Sequence, residues 1–405
     1  MKLKFVARPY ELINKIQNYS WGTRNEQAFI PRLLNMAVEP DTPYAELWMG
    51  THPNAPSEVV VDGRRILLSE FIKQFPQQIL GTRVIERFGV QLPFLFKVLS
   101  AAEALSIQAH PNKQQAEVLH QRDPEHYPDD NHKPEIAIAL DELTALVGFR
   151  SLKEMDAVLR TFPEILEFTG PLEFTFEGAR HEEQENRQKF RQFYQTLMLK
   201  SQTHATEMEA TLNKIEQKLL QKKKRTERDE WFLKLKKKYG ADVGLFSIYL
   251  LNLLHLKKGQ GVFLKAGVPH AYLKGNIVEC MANSDNVVRA GLTPKFKDVK
   301  TLIEVLTYET GPVEIYEGAQ NAKYVYKTPV DEFSITHVNL DEKSKLRFFL
   351  ETVSIMMVVN GKGEIVFNGG RLAIQKGQSI LLPAEIASFE LVSDGSLEIF
   401  SAYVP

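Results

Sequence analysis

The amino-acid sequence predicts a mainly β fold with a helical insertion, arranged as two jelly-roll barrels plus an α-helical domain. Three observations carry this reading. From Lys2 to about Ala139, short apolar runs such as FLFKVL and EIAIAL are broken by Gly, Pro, Asn and Asp, the punctuation of strands in a sandwich or barrel. From about Ser151 to Tyr239 the period changes to that of helices. From about Thr310 onward, SIMMVVNGKGEIVFNGGRLAIQKGQSILLPAE restores a Gly-punctuated β rhythm, as in a jelly roll.

The helical block rests on Leu152, Met155, Val158, Leu159 and Phe162, then Phe190, Phe193, Tyr194, Leu197 and Met198, then Met208, Leu212, Ile215 and Leu219. Three or four amphipathic helices are expected, with these stripes as core. Strand signals return at Gly261, after a helical-looking LFSIYLLNLL, and continue through VFLKAGVPHAYL and NIVECMA. The block therefore interrupts a β domain expected to comprise residues 1–150 and 240–309, with 151–239 as the insertion. Residues 310–405, which show no His or Glu cluster, are read as a second, metal-free barrel. A chain of 405 residues suits two or three such domains.

Composition narrows the function classes. With 43% hydrophobic and 25% charged residues, the chain has the make-up of a folded protein and none of the bias of a disordered one. A formal net charge of -1 gives no global field for gathering nucleic acid. The basic run KIEQKLLQKKKRTERDEWFLKLKKK, interrupted by acidic residues, is expected to be the solvated face of helices. There is no apolar run of the length, about 18 residues, that crosses a membrane, and MKLKFVARPYELINK is too often interrupted by charge to be a signal peptide. A single cysteine, Cys280, excludes an intramolecular disulfide. It points to a reducing, cytoplasmic compartment and to a small buried side chain.

The chemistry is concentrated in three segments. In ALSIQAHPNK, a strand would send Leu105, Ile107 and Ala109 to one face and Ser106, Gln108 and His110 to the other. A Gln oxygen and a His nitrogen two residues apart on a cavity wall could then reach one metal ion. In NHKPEIAIAL, Lys133 and Glu135 share a face while Ile136, Ile138 and Leu140 point away. In KAGVPHAYLKGNIVECMANSDNVVRAGLTPK, Val268, His270 and Tyr272 alternate, a short turn is expected, and Glu279 and Arg289 follow. Taken singly, an exposed Glu, a hydrogen-bonding His or a surface Arg is the better explanation of each.

Taken together, NHKPE, QAHPNK, GVPHAYLKGNIVE and SDNVVRAGLTPK, with NYSWG and ELWMGTHPNAPS, closely resemble the type I phosphomannose isomerases of the cupin superfamily. The order of motifs, the helical insertion and the carboxy-terminal jelly roll resemble that family over nearly the whole chain, and no motif position departs from it. The resemblance implies two cupin-type barrels and one zinc ion per chain held by Gln108, His110, Glu135 and His270, with Arg289 as the recognised active-site residue. One carboxylate, two neutral imidazoles and a neutral amide would leave the site a charge of +1, so the metal would stay a useful Lewis acid.

The resemblance further implies that Ser106, Lys133 and Lys295 line the substrate site, Ser106 and Lys295 toward the phosphate. Glu279, Asp285 and His132 are the nearby polar groups for ring opening and proton transfer. The reaction implied is the interconversion of mannose 6-phosphate and fructose 6-phosphate through a cis-enediolate. It would supply mannose 6-phosphate for GDP-mannose and glycan synthesis, or consume mannose as a carbon source. Arginine does not deprotonate in proteins, so Arg289 fits an electrostatic clamp. Glu279 is the first choice of base, with zinc-bound water and Lys133 as alternatives. A small-molecule sugar phosphate is the expected partner, with no nucleic acid, no membrane and a monomeric chain. The competing readings are a glucose-6-phosphate isomerase, a cupin oxygenase and a non-catalytic sugar-phosphate sensor. An oxygenase would favour iron at a His-rich site, which a Gln ligand with Arg289 does not suggest. A sensor would be favoured by loss of Arg289 or a metal ligand, all five of which are present.

Overall fold

The computed structural model describes residues 4–176, 180–318 and 321–405. Lys2, where the first strand run was expected to begin, lies outside them. Two antiparallel sheets organise the chain. The nine-stranded sheet runs Gly261–Leu264, Glu135–Phe149, His270–Ala282, Phe94–Ala101, Glu46–Met49 and Lys15–Gln17, with Leu251–Leu256 also pairing Glu135–Phe149. Two short strands, Ile107–Ala109 and Val288–Gly291, attach to it through the register His270↔Gln108 and Arg289↔Gln108.

The ten-stranded sheet is formed mainly by the carboxy-terminal segment, with Ser388–Tyr403 and Ser354–Phe367 at its centre. Tyr10–Ile13 completes it, pairing Tyr10 with Leu381, and carries Glu58–Val61 and Arg64–Leu67 beyond. Both strand orders are open paths. Among the described residues the fold is thus mostly β with twelve α-helices, and the two expected barrels do not close. Of the amino-terminal strands, Lys15–Gln17 and Glu46–Met49 stay in the nine-stranded sheet, whereas Tyr10–Ile13, Glu58–Val61 and Arg64–Leu67 extend the sheet of the carboxy-terminal segment.

FLFKVL and EIAIAL are strands, as their β-rich apolar runs require. The early stretch, expected to be strands only, also holds the helices Phe29–Leu34, Leu68–Gln74, Pro76–Leu80, Thr82–Phe88 and Lys113–Arg122. Most of these run two turns or less, too short for a helical period to register. Among the described residues the insertion holds five helices where three or four were expected: Leu152–Thr161, Glu164–Thr169, Arg180–Thr203, Ala205–Gln221 and Glu227–Tyr239. Their stripes form one core with the back of the nine-stranded sheet, including Phe190, Tyr194, Leu212, Ile107 and Ala109. LFSIYLLNLL divides into a helix, Gly244–Leu250, and a strand, Leu251–Leu256, because an apolar run alone does not distinguish the two.

The basic run behaves as a solvated face. Lys214 and Lys222 pair with Glu167 and Asp229 at 2.8 and 3.0 Å. No described helix is long and apolar enough to cross a membrane. Cys280 is fully buried in the core of the sheets, and burial pushes its thiol well above the usual range. The turn expected after Tyr272 is absent. His270–Ala282 is one strand, bent by irregularities at Tyr272/Lys274 and Gly275/Ile277. Gly275 makes the bend feasible: its φ is 139°, and a Cβ there would lie 2.3 Å from the carbonyl oxygen of Glu142.

Candidate metal centre and active-site cleft

Three neighbouring strands bring the first imidazole, the carboxylate and the second imidazole together. Ile107–Ala109 sends Ile107 and Ala109 into the helical core and leaves Gln108 facing a cleft, so the period of two holds across this strand. The strand is shorter than expected, and Leu105, outside it, also lines the cleft. His110 follows at the strand's end. Glu135 opens its strand while Ile136, Ile138 and Leu140 enter the opposite core. His270 opens the next.

The resulting cluster is compact and dry. Glu135 Oε1 lies 3.5 Å from His110 Nε2, and Glu135 Oε2 lies 3.4 Å from His270 Nε2. The three side chains are at most 2% exposed. The Gln108 side-chain amide is 3.5 Å from His270 Nε2. Each imidazole donates its Nδ1 proton to a backbone carbonyl, His110 to Asn286 at 2.8 Å and His270 to Val268 at 3.0 Å. Both Nε2 lone pairs are thereby turned toward the carboxylate, an orientation suited to a cation. His110 Nε2 and Glu135 Oε2 are buried without a hydrogen-bond partner. Such orphans are costly unless a ligand completes them. One donor atom from each of His110, Glu135 and His270 falls within 4.8 Å of the others, the only such group among the described residues.

Electrostatics agree with this geometry. Burial lowers the His110 pKa to about 4, against the pull of Glu135, so the imidazole is neutral at physiological pH. Burial alone would raise the Glu135 carboxyl, but the facing His110 and Lys133 outweigh it and hold the group well below the usual range. Lys133 Nζ is 3.4 Å from Glu135 Oε1.

Above the cluster opens a cleft of about 420 Å³ lined by Ser106, Gln108, Lys133, Glu135, Glu279, Asp285, Arg289 and Lys295. A larger cavity, about 560 Å³, lies between Val147–Phe149 and Thr307–Tyr316 and contains none of these groups. Arg289 is half-buried on Val288–Gly291, beside Gln108. Lys295 is exposed at the rim, and Ser106 is half-buried. Asp285 accepts from His52 Nε2 at 3.2 Å and from Asn54 Nδ2 at 3.2 Å. The His52 contact is the main reason its carboxyl is held low. His132 does not join the cleft; its Nε2 meets Glu332 Oε1 at 2.7 Å, on the carboxy-terminal segment.

The structure adds residues that sequence reading missed. Lys97 is buried between Glu46 and Glu279, at 3.4 and 3.3 Å, with its ammonium 5.0 Å from the Trp48 ring centroid. Burial would lower its pKa, but the two carboxylates raise it above the ordinary value, so Lys97 stays a cation. Burial, with Glu135 and Glu46 nearby, raises the Glu279 carboxyl despite Lys97. Tyr272, kept neutral chiefly by burial, donates to Glu279 Oε1 at 2.8 Å. A lysine inside the apolar FLFKVL was the available signal. His52 in ELWMGTHPNAPS carried none beyond its motif.

Fold and cleft define a class, a β-sheet enzyme whose buried imidazole–carboxylate group can hold a metal ion beneath a cleft rimmed with cations. Family models identify it further: one for the catalytic domain of type I phosphomannose isomerase matches residues 10–152, and one for the cupin domain of mannose-6-phosphate isomerase matches residues 322–403. The chain belongs to the type I phosphomannose isomerase family and is an isomerase. Mannose-6-phosphate isomerase 2 of Arabidopsis thaliana is 38% identical over 407 residues, covering 96% of this chain and 91% of that protein. The Homo sapiens mannose-6-phosphate isomerase is 38% identical over 420 residues, covering 98% of each. A crystal structure of a point mutant of phosphomannose isomerase from Salmonella typhimurium superposes with a TM-score of 0.85 at 30% identity, over 98% of this chain and 99% of that one. A mannose 6-phosphate isomerase bound with zinc and yttrium gives 0.82 at 30% identity, over the same shares.

Proposed function

We propose that this enzyme interconverts mannose 6-phosphate and fructose 6-phosphate with one zinc ion per chain, held by Gln108, His110, Glu135 and His270. The observation that carries the reading is the pair of orphaned buried atoms, His110 Nε2 and Glu135 Oε2, under a cleft lined by Arg289, Lys133 and Lys295. The donor set fits zinc: neutral nitrogen ligands, one carboxylate, and a Gln amide that reaches the same point when its oxygen faces inward. When bound, zinc supplies Lewis acidity to a sugar oxygen.

The chain's own residues do the rest. Ser106 and Lys295 hold the phosphate at the rim and orient the sugar. Asp285, also on the cleft wall, is the polar group for ring opening. Glu279 removes the proton from C2 and returns it to C1, while the O2 hydroxyl proton passes to O1, so the atoms balance. Its raised pKa suits a base working near neutrality. Arg289 stabilises the oxyanion charge of the enediolate, and Lys97, fixed as a cation, neutralises the buried carboxylates around Glu279.

The division into 1–150 with 240–309, 151–239 and 310–405 is retained as the domain proposal, supported by the run of consecutive helices between Leu152 and Tyr239. We place the enzyme in the cytoplasm as a monomer, feeding GDP-mannose and glycan synthesis or consuming mannose. A coupled assay on mannose 6-phosphate tests the reading. Turnover that is abolished by a chelator and restored by zinc is expected; undiminished turnover in metal-free protein would refute it.

A further inference from the structure

We infer that Asp129 is a positioning residue for the metal centre: its carboxylate fixes the loop that orients His110 and carries Asp285 into the cleft. The inference rests on the metal reading of His110. The segment Ser284–Val287 joins the strands His270–Ala282 and Val288–Gly291 and belongs to neither. Without ladder bonds, its shape must come from side chains.

Asp129 supplies them. Its Oδ1 accepts from Ser284 Oγ at 2.8 Å, from Asn286 Nδ2 at 3.1 Å and from the Asn131 amide at 3.0 Å. Its Oδ2 accepts from the Asp285 amide at 2.7 Å. The Asn286 amide also reaches the Asp129 and Asn131 carbonyls at 2.7 and 2.9 Å, and Ser284 Oγ accepts from the Asn286 backbone at 3.1 Å. Among the described residues no ion pair reaches Asp129, so its carboxylate oxygens serve neutral donors, three from this loop and one from Asn131. Ser284 and Asn286 are buried, Asn286 fully.

The loop has two outputs. The Asn286 carbonyl accepts the His110 Nδ1 proton, which fixes the tautomer and turns Nε2 toward Glu135. The next side chain, Asp285, is held in the cleft by His52 and Asn54. One carboxylate outside the cleft therefore sets the aim of a metal ligand and the placing of a substrate-side group. Asp129→Asn, nearly isosteric, turns one acceptor into a donor that faces a donor.

The test is chelator competition for zinc in the holoenzyme, full chain, with the melting temperature of each metal-free variant measured in parallel. Asp129→Asn is expected to weaken zinc about 10- to 100-fold, Ser284→Ala to weaken it less, and Asp130→Asn, an exposed neighbour, to leave it unchanged. A merely structural role would lower the melting temperature and leave zinc affinity at the wild-type value, and that result in Asp129→Asn overturns the inference. If Asp129→Asn does not fold, unchanged affinity in Ser284→Ala overturns it. A wild type that binds no zinc overturns the metal reading as well, whereas a wild type and Asp129→Asn that bind it equally overturn this inference alone.

Discussion

Replacing Lys97 with Met keeps the length of the side chain and removes one buried charge. In the native chain the ammonium lies within 3.4 Å of Glu46 and Glu279 and is 6% exposed, so water cannot take its place. Leaving a partner of a buried pair uncompensated costs about 3 to 5 kcal/mol. Glu279, already raised by burial and by Glu135 and Glu46, must rise further once its cation is gone. A carboxyl raised on folding contributes stability that is complete below its unfolded pKa and is lost as pH rises through its folded pKa. The deficit in Lys97→Met is therefore smallest in acid and grows toward pH 8. Urea unfolding of wild type and variant at pH 5 and pH 8 measures it as a change in midpoint. A loss below about 1 kcal/mol at pH 8, the scale of a surface pair, or a loss independent of pH, would refute the reasoning.

Other perturbations follow from the same geometry. Arg289→Ala should fold and keep its zinc but lose kcat/KM by about two to three orders of magnitude, the weight of one strong oxyanion donor. Arg289→Lys should rescue it poorly because the planar fork is gone; near wild-type values in either would make Arg289 structural. Lys295→Ala should reduce kcat/KM on mannose 6-phosphate about ten- to a hundredfold, as a charge-assisted contact requires, and hardly change the residual rate on free mannose. Equal proportional losses would send the phosphate elsewhere, with Lys133 next to be tested. His110 is held neutral to about pH 4, while an unfolded His takes its proton near 6.5. The metal-free chain should therefore lose stability as pH falls from about 6.5 toward 4, by up to about 1.4 kcal/mol per unit for this one proton. A melting temperature that rises over that interval would contradict the assignment.

The sequence made the local parts of this molecule readable and left its long-range pairings hidden. Gln108 and Glu135 face as strand alternation required, because a period of two needs only neighbouring residues. The apolar stripes of 151–239 were likewise legible as core. Three strands packed side by side turned individually weak signals at His110, Glu135 and His270 into one cluster, and no single segment carried that information. Lys97 was overlooked because FLFKVL reads as core, and its reason for being there is two carboxylates, one 51 residues before it and one 182 after it. His337, which meets Glu398 at 3.1 Å in the carboxy-terminal sheet, was not singled out either, because its partner lies 61 residues further along the chain. The sheets are open paths, and Tyr10–Ile13 pairs with Ser379–Leu382 across almost the whole chain, a register that no local pattern encodes. His132 follows the motif but turns to Glu332, a partner 200 residues away.

The central claim is that the His110, Glu135 and His270 cluster holds the metal on which turnover depends. The most direct test is zinc content and mannose 6-phosphate turnover measured on the same samples of wild type and His270→Ala. The account predicts one zinc per wild-type chain with full activity, and a folded variant that has lost both. Full zinc occupancy in His270→Ala, or turnover in a variant without zinc, would contradict it.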